Sequence, residues 1–168
     1  MENNRNTIAI RFGVIAALIG ILYSLVLQLT DNVGNFGLGL LSYVITIAIL
    51  VIAINNYKKE NNGFLSFKEG FSIGLIFIAV QSVLVSVYSY IYTKFIDTAF
   101  FENLKGLQKV EMEKRGMSDE QIDNAMAMSE WAFNSEASAI SSLLFNLFLG
   151  LIISLIVAAV MKKESDKF

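Results

Sequence analysis

Apolar residues in this chain are gathered into long uncharged stretches, and the charged residues lie between them. The uncharged runs extend from Phe12 to Thr30, Gly37 to Ile54, Gly70 to Thr93 and Ala137 to Met161. Because a helix rises about 1.5 Å per residue, about 20 residues cross a hydrocarbon layer about 30 Å thick. Each run is therefore long enough to span a membrane.

Helices are the favoured structure for these runs, since backbone amides in lipid must bond within their own segment. The β-branched second run would also suit a buried strand, but it is much longer than the usual strand of about 5–6 residues. The pattern predicts an all-α integral membrane protein, a single domain over 1–168. Its four transmembrane helices are expected at about 10–30, 37–55, 67–93 and 138–161.

A polar segment, residues 94–137, separates the third and fourth runs. Its apolar residues recur at three- and four-residue steps, which is typical of one helix face: Ile96, Phe100, Leu104, Leu107 and Val110. Gly116 then stands where such a helix would end in a left-handed residue, and Ser118 to Gln121 has the spacing of a capping box. The segment is predicted to be an amphipathic αα-hairpin outside the membrane, continuing the third span and returning into the fourth.

Lysine and arginine near the span ends predict the orientation. Arg5 and Arg11 precede the first span, Lys58, Lys59 and Lys68 lie between the second and third, and Lys162 and Lys163 follow the fourth. The positive-inside rule places these ends, and so both termini, in the cytoplasm. The first run could also be a signal peptide, but it is longer than the usual apolar core of about 7–15 residues, so we expect it to be retained.

Small residues are spaced for close packing between helices in three of the spans. They recur mostly at four-residue steps, and the candidates are Ala16, Gly20 and Ser24, then Gly70 and Gly74, then Gly150, Ser154 and Ala158. Packing among the helices of one chain is the expected use. A homo-oligomer, formed through a face that is left over, is the alternative.

Amide side chains are few within the spans: Gln81 lies near the middle of the third, Asn146 in the outer part of the fourth and Gln28 near the outer end of the first. Gln81 has four hydrogen-bonding positions and should not face lipid. A hydrogen-bonded clamp between helices is the expected role. In the alternative, Gln81 and the serines beside it (Ser82, Ser86 and Ser89) would line the path of a solute.

The composition further limits the kinds of partner and functional site that we expect. The chain is 55% hydrophobic and 17% charged, against about 25% charged residues in soluble domains. It has no cysteine and no histidine, and its net charge of −2 gives no reason to expect nucleic acid as a partner. We identify no catalytic, cofactor-binding or metal-binding residues. Since no span centre carries an ionisable residue, an ion-coupled pump is disfavoured.

The chain resembles a family of small bacterial membrane proteins known only as domain of unknown function 4199. The resemblance rests on a glycine- and alanine-rich first span, the Tyr57-Lys-Lys end of the second and the Gly63–Phe71 turn into the third. A polar helical insertion and a fourth span ending Ala158–Lys163 complete it. It implies a four-helix protein of the bacterial inner membrane, with no site residues to carry over.

We therefore expect a non-enzymatic accessory or assembly protein. Its partners would be the lipid bilayer and another membrane or periplasmic protein bound through residues 97–133. The alternative is an oligomeric channel or transporter for a small solute. An enzyme acting on lipid ranks third.

Overall fold

Six α-helices make up most of the computed structural model, which describes residues 2–163. The helices are α1 (Glu2–Leu29), α2 (Phe36–Glu60), α3 (Phe67–Ile91), α4 (Phe100–Lys114), α5 (Asp119–Ser129) and α6 (Ser135–Met161). One π-helical turn, Tyr92–Ile96, follows α3, and a 3-10 turn, Glu130–Ala132, follows α5. The described residues form no β-strand, so the predicted all-α fold is confirmed.

Four helices are long and apolar enough to cross a membrane: Asn4–Leu29, Phe36–Glu60, Phe67–Ile96 and Ser135–Met161. Their surfaces expose large apolar side chains, among them Leu22, Val44 and Leu144. Soluble proteins rarely expose apolar surface on this scale, whereas lipid covers it without cost. The helices indicate an integral membrane protein with four spans, as predicted.

The helices extend beyond the uncharged runs at the lysine-rich end, by which we mean the end near Lys58, Lys59 and Lys68. α1 begins at Glu2, and α2 continues to Glu60. The helix α2 ends where Asn61 and Gly63 donate backbone hydrogen bonds to the Lys58 carbonyl, at 3.1 and 2.7 Å. A helix ends where its last carbonyl groups accept hydrogen bonds from residues outside it. In α2 this point lies beyond Lys58, its first charged residue.

The chain divides into two compact units, one of residues 2–85 and 145–163 and one of residues 86–144. The first unit has a tightly packed apolar core. Its members come from the parts of α1, α2, α3 and α6 nearest the lysine-rich end and from the loop between α2 and α3: Ile8, Ala9, Leu50, Ala53, Ile54, Tyr57, Leu65, Ile73, Phe77 and Val157. The interior of the unit at this end is therefore filled by packed side chains.

Within the first unit α3 and α6 run antiparallel and come very close together. A Cβ added at Gly70 would lie 3.2 Å from the Ala158 Cβ, and one added at Gly74 would lie 2.6 Å from the Ser154 Cβ. Leu65 and Lys163 exchange two backbone hydrogen bonds of 2.8 Å beside this contact. The approach depends on the glycines, because any side chain at Gly74 would push the two helices apart.

The second unit contains the end of α3, the helices α4 and α5, and the start of α6. The Ser86 hydroxyl donates to the Ala139 carbonyl at 2.7 Å, and the Thr93 hydroxyl donates to the Ser135 hydroxyl at 3.0 Å. Lys94 forms an ion pair with Glu136. Polar contacts therefore join the two helices inside this unit.

The polar segment forms α4 and α5, which are separated at Gly116 and Ser118 as predicted, but α4 begins at Phe100 rather than at Ile96. Gly116 has a φ of +76°, and Ser118 and Gln121 form the capping box, with the Gln121 Oε1 accepting from the Ser118 N–H at 2.9 Å. The third span does not run straight into α4, because the helix stops at Ile96, where the Asp97 N–H bonds to the Tyr92 carbonyl. The packing of α4 and α5 as a hairpin stays a prediction.

Candidate functional site

A cavity of about 300 Å³ lies among the four spans of the first unit. Every span contributes to its wall, through parts of 16–27, 39–46, 78–85 and 146–153. These parts lie toward the loop that contains Asp31 in α1 and α2, and near the middle of α3 and α6. Its volume is at the lower end of the range of about 300–1,000 Å³ that is typical of small-molecule pockets.

Small residues make room for this cavity. Ala16, Gly20 and Ser24 line it from α1, and Gly150 lines it from α6. A Cβ added at Gly20 would still lie 3.9 Å from its nearest neighbour, a methyl group of Val85. Gly20 thus leaves space open, whereas Gly150 allows a close approach like those at Gly70 and Gly74, because a Cβ added there would overlap the Ile78 side chain.

The predicted packing residues thus fall into two groups. Gly70 lies against Ala158 and Gly74 against Ser154, in the close contact between α3 and α6. Ala16, Gly20, Ser24 and Gly150 line the cavity. All of these residues therefore either form helix contacts or line the cavity within the first unit.

Two of the amides within the spans, Gln81 and Asn146, lie on the cavity wall, and Gln28 is not among its residues. Gln81 also joins two helices, because its Nε2 donates to the Thr46 Oγ1 at 2.9 Å. This bond uses one of the four hydrogen-bonding positions of the amide. Of the serines named with Gln81, Ser82 lines the cavity, whereas Ser86 bonds to the Ala139 carbonyl in the second unit.

Hydroxyl groups supply most of the other polar wall. The Tyr23 hydroxyl donates to the Leu38 carbonyl at 2.9 Å, and the Ser42 hydroxyl donates to the Gly39 carbonyl at 2.6 Å. Ser24 accepts from the Gln28 Nε2 at 2.8 Å. Each of these hydroxyls keeps at least one lone pair or proton for a further bond.

Two hydroxyls on the wall have no hydrogen-bond partner among the described residues, those of Ser82 and Tyr43. Ser82 is only 5% exposed. Neither hydroxyl oxygen is among the fully buried polar atoms left without a partner, so both are accessible from the cavity and can bond to a molecule in it. Their position on the wall makes the cavity the place where such a molecule would sit.

The cavity wall carries no formal charge: among the described residues that line it there is no Asp, Glu, Lys or Arg. Apolar side chains, including Ile45, Val85 and Ile153, alternate with the polar ones. The wall therefore suits a neutral molecule better than an ion, because a charge in this setting would have no opposite charge to offset its desolvation.

The packed core closes the cavity toward the lysine-rich end. Ile78 lines the cavity, and Phe77, Leu50 and Ile73 beyond it are completely buried. A solute in the cavity therefore has no open route through the core in this conformation.

Several wall residues were missed in the sequence, among them Tyr23, Ser42, Tyr43 and Thr46. Ser42 and Thr46 are four residues apart on α2, and this spacing on an otherwise apolar helix was the available signal. A second set of small residues in α1 was missed too. Ala9, Gly13 and Ala17 are buried at four-residue steps, and a Cβ added at Gly13 would lie 2.8 Å from the Phe77 carbonyl oxygen on α3.

A family model matches residues 11–163, nearly the whole chain. The chain belongs to the DUF4199 family. The family is described as a protein of unknown function, which confirms the expected resemblance and assigns no role to any residue. The DUF4199 match includes the whole cavity wall and the segment 97–133. No curated protein and no solved structure matched the chain.

Proposed function

We propose that this DUF4199 protein is a non-enzymatic channel or transporter. Its cavity would be the site that binds a small uncharged solute. The observation that carries this proposal is the convergence of Gln81, Ser82 and Asn146 with Tyr43 and Thr46 on one cavity between the spans. These residues come from α2, α3 and α6, so the fold, rather than one local motif, brings them together.

A purely structural role for the polar residues would account for less. The Gln81–Thr46 bond can hold α2 against α3 without any cavity. That bond alone, by contrast, does not account for a cavity of about 300 Å³ on which polar groups from α2, α3 and α6 converge. A bound solute would contact the wall of this cavity and would bond to its hydroxyls.

The packed core supports a gated site rather than an open pore. Phe77 and Leu50 are fully buried beyond the cavity, so a solute could leave toward the lysine-rich end only after these side chains move. Transport would then alternate between the conformation described here and one in which this core opens.

Reconstituted liposomes test the proposal. Purified protein should increase the flux of some neutral solute in a broad panel, and Gln81→Leu should reduce that flux at least several-fold. The matched control is Gln108→Leu on α4, which changes the same residue type outside the cavity wall. Absence of flux and of binding across the panel would count decisively against the proposal.

We further propose that the protein resides in a bacterial inner membrane with both termini in the cytoplasm. Lys58, Lys59 and Lys68 lie at one end of the spans, and Lys162 and Lys163 follow the fourth. This distribution favours the cytoplasm for that end. The cavity would then lie in the outer half of the membrane.

A second candidate function is binding to another membrane or periplasmic protein through residues 97–133. It is supported by large apolar side chains exposed on the helices between the third and fourth spans: Leu107, Val110, Met128 and Trp131. Leu107→Asp with Val110→Asp should abolish a co-purifying partner and leave membrane insertion unchanged. The control, Lys109→Glu, alters the charge of α4 without touching this apolar surface. An unchanged partner set in the double variant would reject this candidate.

A further inference from the structure

We infer that the solute is a small polyol, a neutral molecule with several hydroxyl groups. This inference rests on the proposed function, since it names the class of molecule that the same cavity binds. It follows from three properties of the wall: its charge, its hydrogen-bonding groups and its volume.

The uncharged wall excludes an ion as the natural ligand. No Asp, Glu, Lys or Arg is found among the described lining residues, so a cation or anion would lose its hydration without gaining an opposite charge. A neutral ligand avoids this cost.

The hydrogen-bonding groups favour a ligand with several hydroxyls over one with a single polar group. Ser82 and Tyr43 offer hydroxyls that have no partner among the described residues, and Gln81 has positions left after its bond to Thr46. A ligand with one polar group would pair with only some of these groups and would gain fewer hydrogen bonds. A hydroxyl both donates and accepts, so several of them in one molecule match this mixed set.

The volume sets the size. At about 30 Å³ for each water molecule, the cavity holds about ten waters, which corresponds to a ligand of roughly ten non-hydrogen atoms. A five-carbon polyol is of this size. Its C–H groups would contact the apolar wall at Ile45, Ile78 and Val85, and its hydroxyls would reach the polar residues between them.

Direct binding measurements on the full chain in glycerol-free detergent micelles test this inference. The probes are xylitol, 1-pentanol as a five-carbon alcohol with a single hydroxyl, and tetramethylammonium as a cation. We expect equilibrium dialysis with labelled probes to detect xylitol binding that is tighter than 1-pentanol binding, and no binding of the cation. Ser82→Ala and Tyr43→Phe should each weaken xylitol binding about three- to tenfold, the effect of one lost hydrogen bond.

The matched control is Ser86→Ala. It lies four residues from Ser82 on the same helix and outside the cavity wall, and it should leave xylitol binding unchanged. Tyr43→Phe keeps the test decisive if Ser82→Ala fails to fold.

The outcomes separate the inference from the proposed function. If 1-pentanol binds more tightly than xylitol, and its binding is lost in Gly39→Leu, the polyol inference is overturned. The proposal that the cavity binds a neutral solute would then still stand. Binding of the cation alone, or of no probe and no neutral solute in the wider panel, would overturn both. An equal loss of xylitol binding in Ser82→Ala and Ser86→Ala would show that the cavity wall is not the site.

Discussion

The Gln81 side chain on α3 donates a hydrogen bond to the Thr46 hydroxyl on α2, with 2.9 Å between Nε2 and Oγ1. The two residues are also part of the cavity wall. The sequence offered two roles for Gln81, a clamp between helices and a lining residue of a solute path. The structure places it where one amide can serve both, since one bond to Thr46 leaves other positions of the amide unused.

Thr46→Val should therefore destabilise the protein, because it removes the acceptor of the Gln81 amide while keeping the shape of the side chain. Hydrogen bonds between membrane helices contribute about 0.6–2 kcal/mol, so we expect a loss of about 1 kcal/mol in the free energy of unfolding. Unfolding in mixed detergent micelles, followed by circular dichroism, measures it.

The double variant Thr46→Val with Gln81→Leu completes a thermodynamic cycle. A coupling energy of about 0.6–2 kcal/mol is expected, because each single change removes the same bond. Strict additivity of the two single changes would mean that the Gln81–Thr46 bond contributes nothing to stability.

The close contact of α3 with α6 predicts that Gly74→Ala is strongly destabilising. The added methyl would lie 2.6 Å from the Ser154 Cβ, so the helices would have to separate. Overpacking of this kind costs about 1–3 kcal/mol. The free energy of unfolding of Gly20→Ala is the control, because a Cβ there meets nothing closer than 3.9 Å.

Removing the opposing side chain should reverse that loss. In Gly74→Ala with Ser154→Gly the hydroxymethyl group that the added methyl would meet is absent, and we expect most of the lost stability to return. A double variant as unstable as Gly74→Ala alone would show that the clash with Ser154 is not the cause.

The start of α3 depends on Glu69. Its carboxylate accepts from the Tyr57 hydroxyl at 2.7 Å and from the Ser66 N–H at 2.8 Å. Glu69→Ala removes the capping box and leaves the buried Tyr57 hydroxyl unpaired, so we expect a loss of about 2–4 kcal/mol in unfolding free energy. Tyr57→Phe should cost less, about 1 kcal/mol, because the cap remains. If both variants unfold at the same detergent fraction as the wild type, the Glu69 contacts are not structural.

Sequence patterns predicted the fold more fully than the site. The spans follow from the position of charged residues, and the cap at Ser118 follows from local spacing, so both are properties of short segments. The exact helix ends were not predictable in this way, because α2 passes its charged residues Lys58 and Lys59 and ends at a cap. The interruption at Asp97 between the π-helical turn and α4 had no signal that we could interpret.

The cavity depends on how helices distant in sequence are placed. The same four-residue spacing of small residues gives a tight contact at Gly74 and open space at Gly20, because the residues opposite them differ. The spacing of small residues along one helix does not show which residues of another helix lie opposite them. Tyr43 was missed for the same reason. The spacing of Ser42 and Thr46 was a signal on α2, but only the fold shows that Gln81 lies beside Thr46.

The orientation predicts a simple result for topology reporters. A reporter fused after Lys59 should report the cytoplasm, and one fused after Ser118 should report the opposite side, because one span lies between the two positions. An exchange of the two signals would mean that the orientation is inverted. Cytoplasmic signals from both fusions would contradict the four-span topology.

Filling the cavity provides the most direct test of solute binding. Gly39 lines the cavity, and a Cβ added there meets no atom within 4 Å, so Gly39→Leu should occupy the space without disturbing the helices. Gly37→Leu, two residues earlier on α2 and outside the wall, is the matched control. The measurement is equilibrium binding of labelled xylitol to the wild type and to both variants. Binding should be lost in Gly39→Leu and retained in Gly37→Leu, whereas full binding by a folded Gly39→Leu protein would contradict the assignment of the cavity as the solute site.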